Sequence, residues 1–336
     1  MATPLALVAM PKLTISSQSF PIAGTFTISR GSKSVADVVV VELEADGFKG
    51  WGESVPYARY QETVPQCLAA LEAAGPQIEQ GIRNDDQFVA LNLPKAAQNA
   101  LDCALIDLNA KRSGIPAWNI LGLARPHPLT TAYTISLDSP AVMATAAAAA
   151  AQYSLLKLKL GREGDADRLA AIRAAVPDAR LIVDANEGWN ESTIEAMLRC
   201  CALHGVELVE QPLPAANDKA LRHIKRDLLI CADESAHGIG SLPALRGKYD
   251  AVNIKLDKTG GLTRALEMAR AAQVQNFKIM VGCMLATSLA MAPAFLVAQM
   301  ADYVDLDGPL LLAKDRTPAI RYERGLMFPP PAALWG

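Results

Sequence analysis

The chain lacks the features that mark several large classes of protein. It contains no run of about 18–20 uncharged apolar residues, so no membrane-spanning helix is predicted. It has no long lysine or arginine run, and a pI near 5.9 argues against nucleic acid as a partner. The six cysteines form no CxxC pair and have no metal-ligand spacing with the four histidines, so neither a disulfide framework nor a zinc site is expected.

The residues that dominate the composition are aliphatic. Of 336 residues, 51% are hydrophobic, 20% are charged and only 5% are aromatic, and the net charge is −3. This composition predicts a globular protein with a large core, too long for one bare barrel of about 250 residues. Residues 1–10 are apolar but short, without the basic region that precedes a secretory signal. We therefore expect a cytoplasmic protein, and leave open whether Met1 to about Ser17 is an ordered start.

The first third of the chain has a mixed α+β pattern. Residues 38–44 form a β-branched apolar run, and residues 49–52 follow a turn at Gly47, which predicts a hairpin. Residues 97–109 have helical apolar spacing. Several prolines then suggest a boundary near residue 126, so we expect a domain at residues 1–125 and another at 126–314.

The second part of the chain alternates short apolar strands with helical stretches. The pattern repeats every 22 to 27 residues, roughly one βα unit each, and therefore predicts an α/β fold of the (β/α) barrel type. The Pro-rich tail, residues 315–336, is expected to pack back on the first domain. The predicted strands are residues 130–136, 155–160, 180–184, 206–210, 228–233, 251–255, 278–282 and 302–305.

Three acidic residues end consecutive predicted strands: Asp184, Glu210 and Asp233. Active sites of such barrels lie at the carboxyl ends of the strands, where converging carboxylates repel one another unless a cation neutralises them. A single acid at a strand end is often only a helix cap, but three in succession favour a metal site. Oxygen ligands without histidine or cysteine suit Mg²⁺ better than zinc.

Lysines end the strands on both sides of these acids. Lys157 and Lys159 alternate along one strand and therefore point to the same face. Lys255 ends the sixth strand, roughly opposite Lys159 across an eight-stranded ring. Two amines on opposite sides of a bound substrate can remove a proton from one face and return it to the other. Each must be neutral to act as a base, and a neighbouring cation lowers its pKa in that direction.

Seven motifs occur in order: KLKLG, IVDANEGW, LVEQPLP, ICADES, VNIKLDKTGG, VGCMLATS and YVDLDGP. With them the chain resembles the enolase superfamily, its muconate-lactonizing subgroup and, more narrowly, the L-Ala-D/L-Glu dipeptide epimerase family. The similarity extends from about Phe20 to about Pro329. It implies a (β/α)7β modified TIM barrel with an N-terminal α+β capping domain, whose two loops FTISRGSKS and VPYARY close over the barrel.

The resemblance also implies roles for individual residues. Asp184, Glu210 and Asp233 would hold one Mg²⁺ per subunit, and the Mg²⁺ would bind the substrate carboxylate. A lysine base with Mg²⁺ stabilising an enediolate is the pattern described for this superfamily. The remaining assignments concern the proton and the surroundings of the metal. Lys159 and Lys255 would be the acid/base pair, Lys157 would lie beside the substrate carboxylate, and Asn186 and Glu234 would support the metal ligands.

Substrate contacts follow from the same resemblance. Asp305 and Asp307 would hold the free α-ammonium of a dipeptide, although one could instead cap a helix while the other is solvated. Arg30 matches the residue that pairs with the side-chain carboxylate of a C-terminal Glu, with Lys33 and Arg59 as alternatives. Thr134 and the segment from Cys283 to Leu285 would line the dipeptide, and Cys283 replaces a small hydroxyl residue seen in some relatives.

The resemblance thus predicts Mg²⁺-dependent epimerisation of L-Ala-D/L-Glu-like dipeptides, with a role in murein peptide metabolism and a homo-oligomeric state. One alternative is an N-acylamino-acid (N-acylglutamate) racemase or an o-succinylbenzoate synthase of the same subgroup. A Schiff-base aldolase barrel is a further enzymatic alternative. The alternative from another class is a non-catalytic barrel that binds peptide or metal.

Overall fold

The computed structural model describes residues 10–336, so residues 1–9 of the apolar start considered above lie outside the described part. None of its helices, within residues 10–336, is both long and apolar enough to cross a membrane. The strands are β1 Lys12–Ile28, β2 Gly31–Ala45, β3 Phe48–Ser54, β4 Leu129–Thr130, β5 Tyr133–Ile135, β6 Leu155–Lys159, β7 Arg180–Asp184, β8 Val206–Glu210, β9 Leu229–Ala232, β10 Ala251–Ile254, β11 Lys278–Gly282, β12 Tyr303–Asp305, β13 Tyr322–Glu323 and β14 Leu326–Met327. The α-helices are α1 Val64–Glu79, α2 Asp85–Ala90, α3 Lys95–Ser113, α4 Ala117–Ile120, α5 Pro140–Ala149, α6 Asp165–Ala175, α7 Ile194–Leu203, α8 Leu242–Leu245, α9 Leu256–Thr259, α10 Leu262–Val274 and α11 Ser288–Ala298.

The N-terminal part is an antiparallel sheet, β1–β2–β3, covered by helices. The predicted hairpin is present as β2 and β3. Its apolar run is continuous because β2 is buried on both faces. Val39 and Val41 pack against the helices of the N-terminal part, whereas Val38 and Val40 belong to the core shared with the barrel. The sequence did not predict β1, since most of its residues are at least partly exposed and polar residues interrupt its apolar pattern.

The eight predicted barrel strands are all present. They form one sheet in which β5 to β12 lie side by side in chain order. The backbone N–H of Ala132 donates to the carbonyl of Val304 over 2.8 Å, which joins the two ends of the sheet. A helix after every strand was expected, but β8 is followed only by two 3-10 turns, Ala215–Asn217 and Lys219–Arg222, and β12 only by the 3-10 turn Gly308–Leu311. Pro212 and Pro214 follow β8 closely and bias the residue before each of them away from the helical conformation, so the chain leaves the strand as an irregular segment. The predicted modified TIM barrel with its N-terminal cap is confirmed.

The C-terminal tail contacts both parts of the molecule. The indole N–H of Trp335 donates to the carbonyl of Cys103 in α3 over 3.1 Å. The backbone N–H of Gly336 donates to Asp107 over 2.7 Å. Strand β14 meanwhile pairs with β4 at the start of the barrel.

A buried ion pair also fastens the tail to the cap. The Glu53 carboxylate, at the end of β3, accepts from Arg316 Nη2 over 2.6 Å and from the Thr287 hydroxyl over 2.6 Å. Thr287 caps α11 and lies two residues after the segment predicted to line the substrate, so this carboxylate joins the cap, the tail and the rim of the barrel.

Glycine at position 52 lets β3 approach α3 closely. A Cβ at Gly52 would lie 1.9 Å from the carbonyl oxygen of Ala100, closer than any real contact. We expect Gly52→Ala to lower the free energy of unfolding by about 1–3 kcal/mol, since the helix must shift away from the sheet. Gly240→Ala is the matched control, because a Cβ there meets no atom within 4 Å. Urea unfolding of both variants tests this, and equal stabilities would contradict the close approach.

Candidate active site

The residues predicted to carry chemistry lie in one row across the carboxyl ends of the barrel strands. Lys159 on β6 is in register with Asp184 on β7, and Asp184 is in register with Glu210 on β8. Asp233 and Lys255 directly follow β9 and β10. All five side chains belong to buried residues. Parallel pairing therefore produces the cluster, since each strand contributes its last inward-facing side chain at the same level.

One half of this row is held together by two lysines. Lys159 Nζ lies 2.6 Å from Asp184 Oδ2. Lys157 Nζ lies 2.6 Å from Glu210 Oε2 and 2.6 Å from Asp305 Oδ2, and 3.3 Å from Asp184 Oδ2. Lys157 thus places one positive charge among three buried carboxylates from three strands, which reduces their mutual repulsion.

The other half contains two polar residues that the sequence did not single out. Lys255 Nζ lies 2.7 Å from Asp233 Oδ2, and Lys258 Nζ lies 2.5 Å from Asp233 Oδ1. The amide of Asn253 donates to Glu210 Oε1 over 2.6 Å. A usable signal existed for Lys258, since the spacing in KLDK places it about one helical turn after Lys255. Asn253 precedes Lys255 by two residues on β10, and strand alternation puts it on the same face.

The carboxylates favour the charged form of two of these lysines, Lys255 and Lys157. Burial alone would lower the pKa of Lys255, but the carboxylates of Asp233 and Glu210 raise it well above its usual value. Burial would also lower the pKa of Lys157, but nearby carboxylates, Asp305 most strongly, raise it well above its usual value. The ammonium groups of Lys255 and Lys157 therefore supply the positive charge that the buried carboxylates around them need.

The surroundings shift the pKa values of Asp184 and Glu210 in opposite directions. Burial would raise the pKa of Asp184, but Lys159 and Lys157 hold it below its usual range. The pKa of Glu210 is raised, chiefly by burial and then by the neighbouring charge of Asp184. Glu210 is thus less stabilised as a carboxylate than Asp184, and a divalent cation held by these side chains would lower its pKa.

The donor set fits a hard cation such as Mg²⁺. Asp184, Glu210 and Asp233 offer only carboxylate oxygens, and no histidine or cysteine ligand competes with them at the strand ends. Among residues 10–336 these side chains do not already form a coordination sphere, because each turns towards a lysine instead. The residues therefore fit the ion in chemistry and position, with the lysines as exchangeable partners of the carboxylates.

Asp305 and Asp307 both lie buried at the end of β12. Asp305 pairs with Lys157 and leaves its Oδ1 without a hydrogen-bond partner. Asp307 accepts the backbone N–H of Thr134 over 2.6 Å. Burial, and then the charge of Asp305, raises the pKa of Asp307 to about 7. Neither aspartate is solvated, and the pair retains capacity for a cationic partner.

Two arginines of the cap reach the barrel rim. Arg30, in the turn between β1 and β2, lies 2.7 Å from Glu234 Oε1 and donates to the Asn186 carbonyl over 2.8 Å. Arg59 donates to both carboxylate oxygens of Glu187, each over 2.8 Å. The third predicted candidate, Lys33, has its Nζ 5.0 Å from the ring centroid of Tyr57.

A cavity of about 590 Å³ lies between the cap loops and the barrel mouth. Its wall includes both Lys159 and Lys255, together with Arg30 and Lys33, whereas Arg59 does not line it. Other predicted site residues in the wall are Asn186, Asp233, Glu234, Cys283 and Leu285. The predicted residues that do not line it are Thr134, Lys157, Asp184, Glu210, Asp305 and Asp307. The cavity therefore joins the two lysines and the cap, with most of the acidic cluster behind its wall.

Two family models together match most of the chain. Residues 10–122 match the mandelate racemase / muconate lactonizing enzyme N-terminal domain, and residues 141–333 match the enolase C-terminal domain-like family. The chain is 45% identical over 310 residues to the L-Ala-D/L-Glu epimerase of Escherichia coli (strain K12), covering 92% of this chain and 96% of that protein. It is 43% identical over 300 residues to the N-acetyl-D-glutamate racemase of a Pseudoalteromonas species, covering 89% and 95%.

Solved structures agree with these relatives. An enolase family member from Agrobacterium tumefaciens with homology to dipeptide epimerases, solved with sodium, L-Ala-L-Glu and an ordered loop, is 50% identical with a TM-score of 0.94, covering 97% of this chain and 100% of that one. A dipeptide epimerase from Enterococcus faecalis V583, solved with Mg and L-Leu-L-Tyr, is 28% identical with a TM-score of 0.89, covering 96% and 98%. The resemblance carried by the seven motifs is thus confirmed, and the chain belongs to the enolase superfamily, to its mandelate racemase and muconate-lactonizing group and, within that group, to the dipeptide epimerases.

Proposed function

We propose that the chain is a Mg²⁺-dependent dipeptide epimerase that inverts the α-carbon of the C-terminal residue in L-Ala-Glu-type dipeptides. The observation that carries this proposal is the presence of Lys159 and Lys255 in the wall of one cavity. Strands β6 and β10, which bring them there, are four positions apart in a sheet of eight. A substrate between the two amines presents one face to each, as proton removal and return on opposite sides require. The chain is therefore an isomerase.

The proton moves between the substrate and the chain's own lysines. For one stereoisomer Lys159 takes the α-proton and Lys255 supplies a proton to the opposite face, and for the other stereoisomer the roles exchange. Asp184, Glu210 and Asp233 would hold the Mg²⁺. When bound, this ion supplies the positive charge that stabilises the substrate carboxylate as it gains electron density. Carboxylates engaged by the ion attract the lysine protons less, which favours the neutral amine that a base needs.

Three side chains favour a substrate that has an acidic C-terminal residue and a free N-terminus. Arg30 lines the cavity, and its guanidinium can grip a side-chain carboxylate through two hydrogen bonds. Asp305 and Asp307 supply negative charge for the α-ammonium. The solved relative from Agrobacterium tumefaciens contains L-Ala-L-Glu itself. We assign the side-chain carboxylate to Arg30 rather than Arg59, because Arg30 lines the cavity and Arg59 does not.

The direct test is hydrogen exchange. We expect L-Ala-L-Glu, incubated with the protein and Mg²⁺ in D₂O, to lose its Glu α-proton signal while L-Ala-D-Glu accumulates. A chelator should stop the exchange and leave the protein folded, because lysines already neutralise the buried carboxylates. Proton NMR and circular dichroism measure the two outcomes. Absence of exchange with Mg²⁺ present, or full exchange after complete metal removal, would contradict the proposal.

A second candidate is racemisation of N-acylated glutamate. It is supported by the N-acetyl-D-glutamate racemase among the relatives, at 43% identity. The two candidates differ at the amino end of the substrate, since an acylated nitrogen carries no positive charge. Lys157 pairs with Asp305, but no lysine or arginine among residues 10–336 forms an ion pair with Asp307. A second buried carboxylate without a cationic partner is unfavourable, so this pair of aspartates favours the dipeptide, whose ammonium can supply the charge.

Asp307→Asn separates the two candidates. Asparagine keeps the acceptor for the Thr134 N–H but removes the charge, so we expect KM for L-Ala-L-Glu to rise roughly tenfold or more. Turnover of N-acetyl-L-glutamate should change little. Asp302→Asn, which alters a pair with Lys278 at the opposite end of β12, is the control. Steady-state kinetics with both substrates provide the measurement, and an equal effect on the two would remove the ammonium assignment.

We extend the proposal to the organisation of the chain. The cap would comprise residues 1–125 with the tail 315–336, and the barrel residues 126–314, in keeping with the contacts of Trp335 and Arg316 with the cap. A homo-oligomeric state, a cytoplasmic location and a role in murein peptide metabolism remain predictions. A Schiff-base aldolase or a non-catalytic barrel has less support, since both lysines and all three metal-binding carboxylates are present in a chain of this family.

A further inference from the structure

The turn that follows β7 has an unusual backbone. Asn186 and Glu187 are consecutive non-glycine residues with positive φ angles, 45° and 64°. Such conformations persist only where the surroundings determine them, and they concentrate at functional positions. The turn is held by the barrel, since the N–H of Glu187 donates to the Gln211 carbonyl over 2.9 Å. The result is a fixed turn directly beyond Asp184.

This turn presents its acceptors to both loops of the cap. The Asn186 carbonyl accepts from the Ser29 hydroxyl over 2.9 Å and from Arg30 Nη1 over 2.8 Å. The Glu187 carboxylate accepts two hydrogen bonds from Arg59 and a longer one, 3.3 Å, from Arg30. A fourth bond, from the backbone N–H of Ala215, fixes the carboxylate from the barrel side over 2.8 Å.

The burial and charge of Glu187 are those of a residue that anchors the two arginines, not of one that contacts the substrate. The Glu187 side chain is 9% exposed, whereas those of Arg30 and Arg59 are 29% and 38% exposed. Glu187 is therefore the buried partner that two half-exposed cations share. Burial would raise its pKa, but hydrogen bonds from Arg59 and Ala215 lower it, so the carboxylate stays charged.

We propose that Glu187 is a positioning residue that anchors Arg59 and Arg30, and so holds both cap loops over the barrel mouth in the arrangement that receives the substrate's acidic side chain. Arg59 in this account is committed to Glu187 and fixes its loop. Arg30 is held at the cavity by Glu234 and the Asn186 carbonyl, with a longer bond to Glu187. Glu187 therefore adds to its anchoring, and a substrate carboxylate can replace this longer bond. The kinetic part of this inference rests on the proposed function, whereas the anchoring of the loops does not.

The first test needs no substrate. Trypsin cleaves after arginine, so native-state digestion with mass spectrometry reports how often the loops open at Arg30 and Arg59. In Glu187→Gln, which keeps the size but removes the charge, we expect cleavage after Arg59 to accelerate about tenfold. Cleavage after Arg30 should accelerate less, because Arg30 keeps its bonds to Glu234 and Asn186. Cleavage after Arg83, exposed elsewhere in the cap, is the internal standard. Glu191→Gln, an exposed acid four residues further along the chain, is the matched control and should match wild type.

Kinetics provide the second test. We expect Glu187→Gln to raise KM for L-Ala-L-Glu about tenfold with kcat within about twofold of wild type. Arg59→Gln should reproduce most of this effect, and the double variant should add little, because both substitutions break the same pair. Calorimetric titration with Mg²⁺ alone should give an unchanged affinity in Glu187→Gln. A merely structural role beside Asp184 would instead weaken Mg²⁺ binding.

The outcomes decide the two claims separately. Wild-type cleavage rates and KM in Glu187→Gln, strictly additive effects with Arg59→Gln, or a loss of Mg²⁺ affinity as large as the rise in KM would each overturn the anchor. If the wild-type protein exchanges no α-proton, the proposed function fails. The digestion, which involves no dipeptide, still shows in that case whether Glu187 holds the loops.

Discussion

The rest of the site depends on the contact between buried carboxylates and buried lysines at the barrel mouth. Asp184, Glu210 and Asp233 are removed from water, and each lies within 2.7 Å of a lysine ammonium. Removing a carboxylate from water without a partner is strongly unfavourable, so the cluster can exist only while its charges are balanced. The lysines provide that balance in the protein alone. Asp184, Glu210 and Asp233 would hold a divalent cation, and the lysines would then be free to act as acid and base.

This constraint explains why the site extends across so much of the chain. Parallel strands bring one row of side chains together, but they leave the mouth open to water. The cap closes it, and fixed contacts hold the cap in place. Glu53 binds Thr287 and Arg316 at one side of the mouth, and the Asn186–Glu187 turn binds the arginine loops at the other. Water exclusion strengthens every electrostatic interaction inside the cavity.

Much of the barrel could be predicted from the sequence, because its strands repeat at a regular spacing and end in charged residues. All eight strands were placed correctly, and the row from Lys159 to Lys255 followed from strand alternation. Residues whose roles depend on distant partners could not be predicted. Glu53 and Arg316 meet only after the tail returns to the cap, and Glu187 shows its partners only once both loops are in place. Strand β1 was not predicted because its polar residues interrupt the apolar pattern. A helix was wrongly predicted after β8, because apolar periodicity does not distinguish a helix from two successive 3-10 turns.

The account's central claim is that Lys159 and Lys255 address opposite faces of one substrate. The most direct measurement compares Lys159→Met and Lys255→Met in D₂O with L-Ala-L-Glu and L-Ala-D-Glu, following the Glu α-proton by NMR. The account predicts that neither variant epimerises, while each still exchanges the α-proton of one stereoisomer, and that the two variants retain opposite stereoisomers. Exchange of both stereoisomers by either variant, or retention of the same stereoisomer by both, would contradict it.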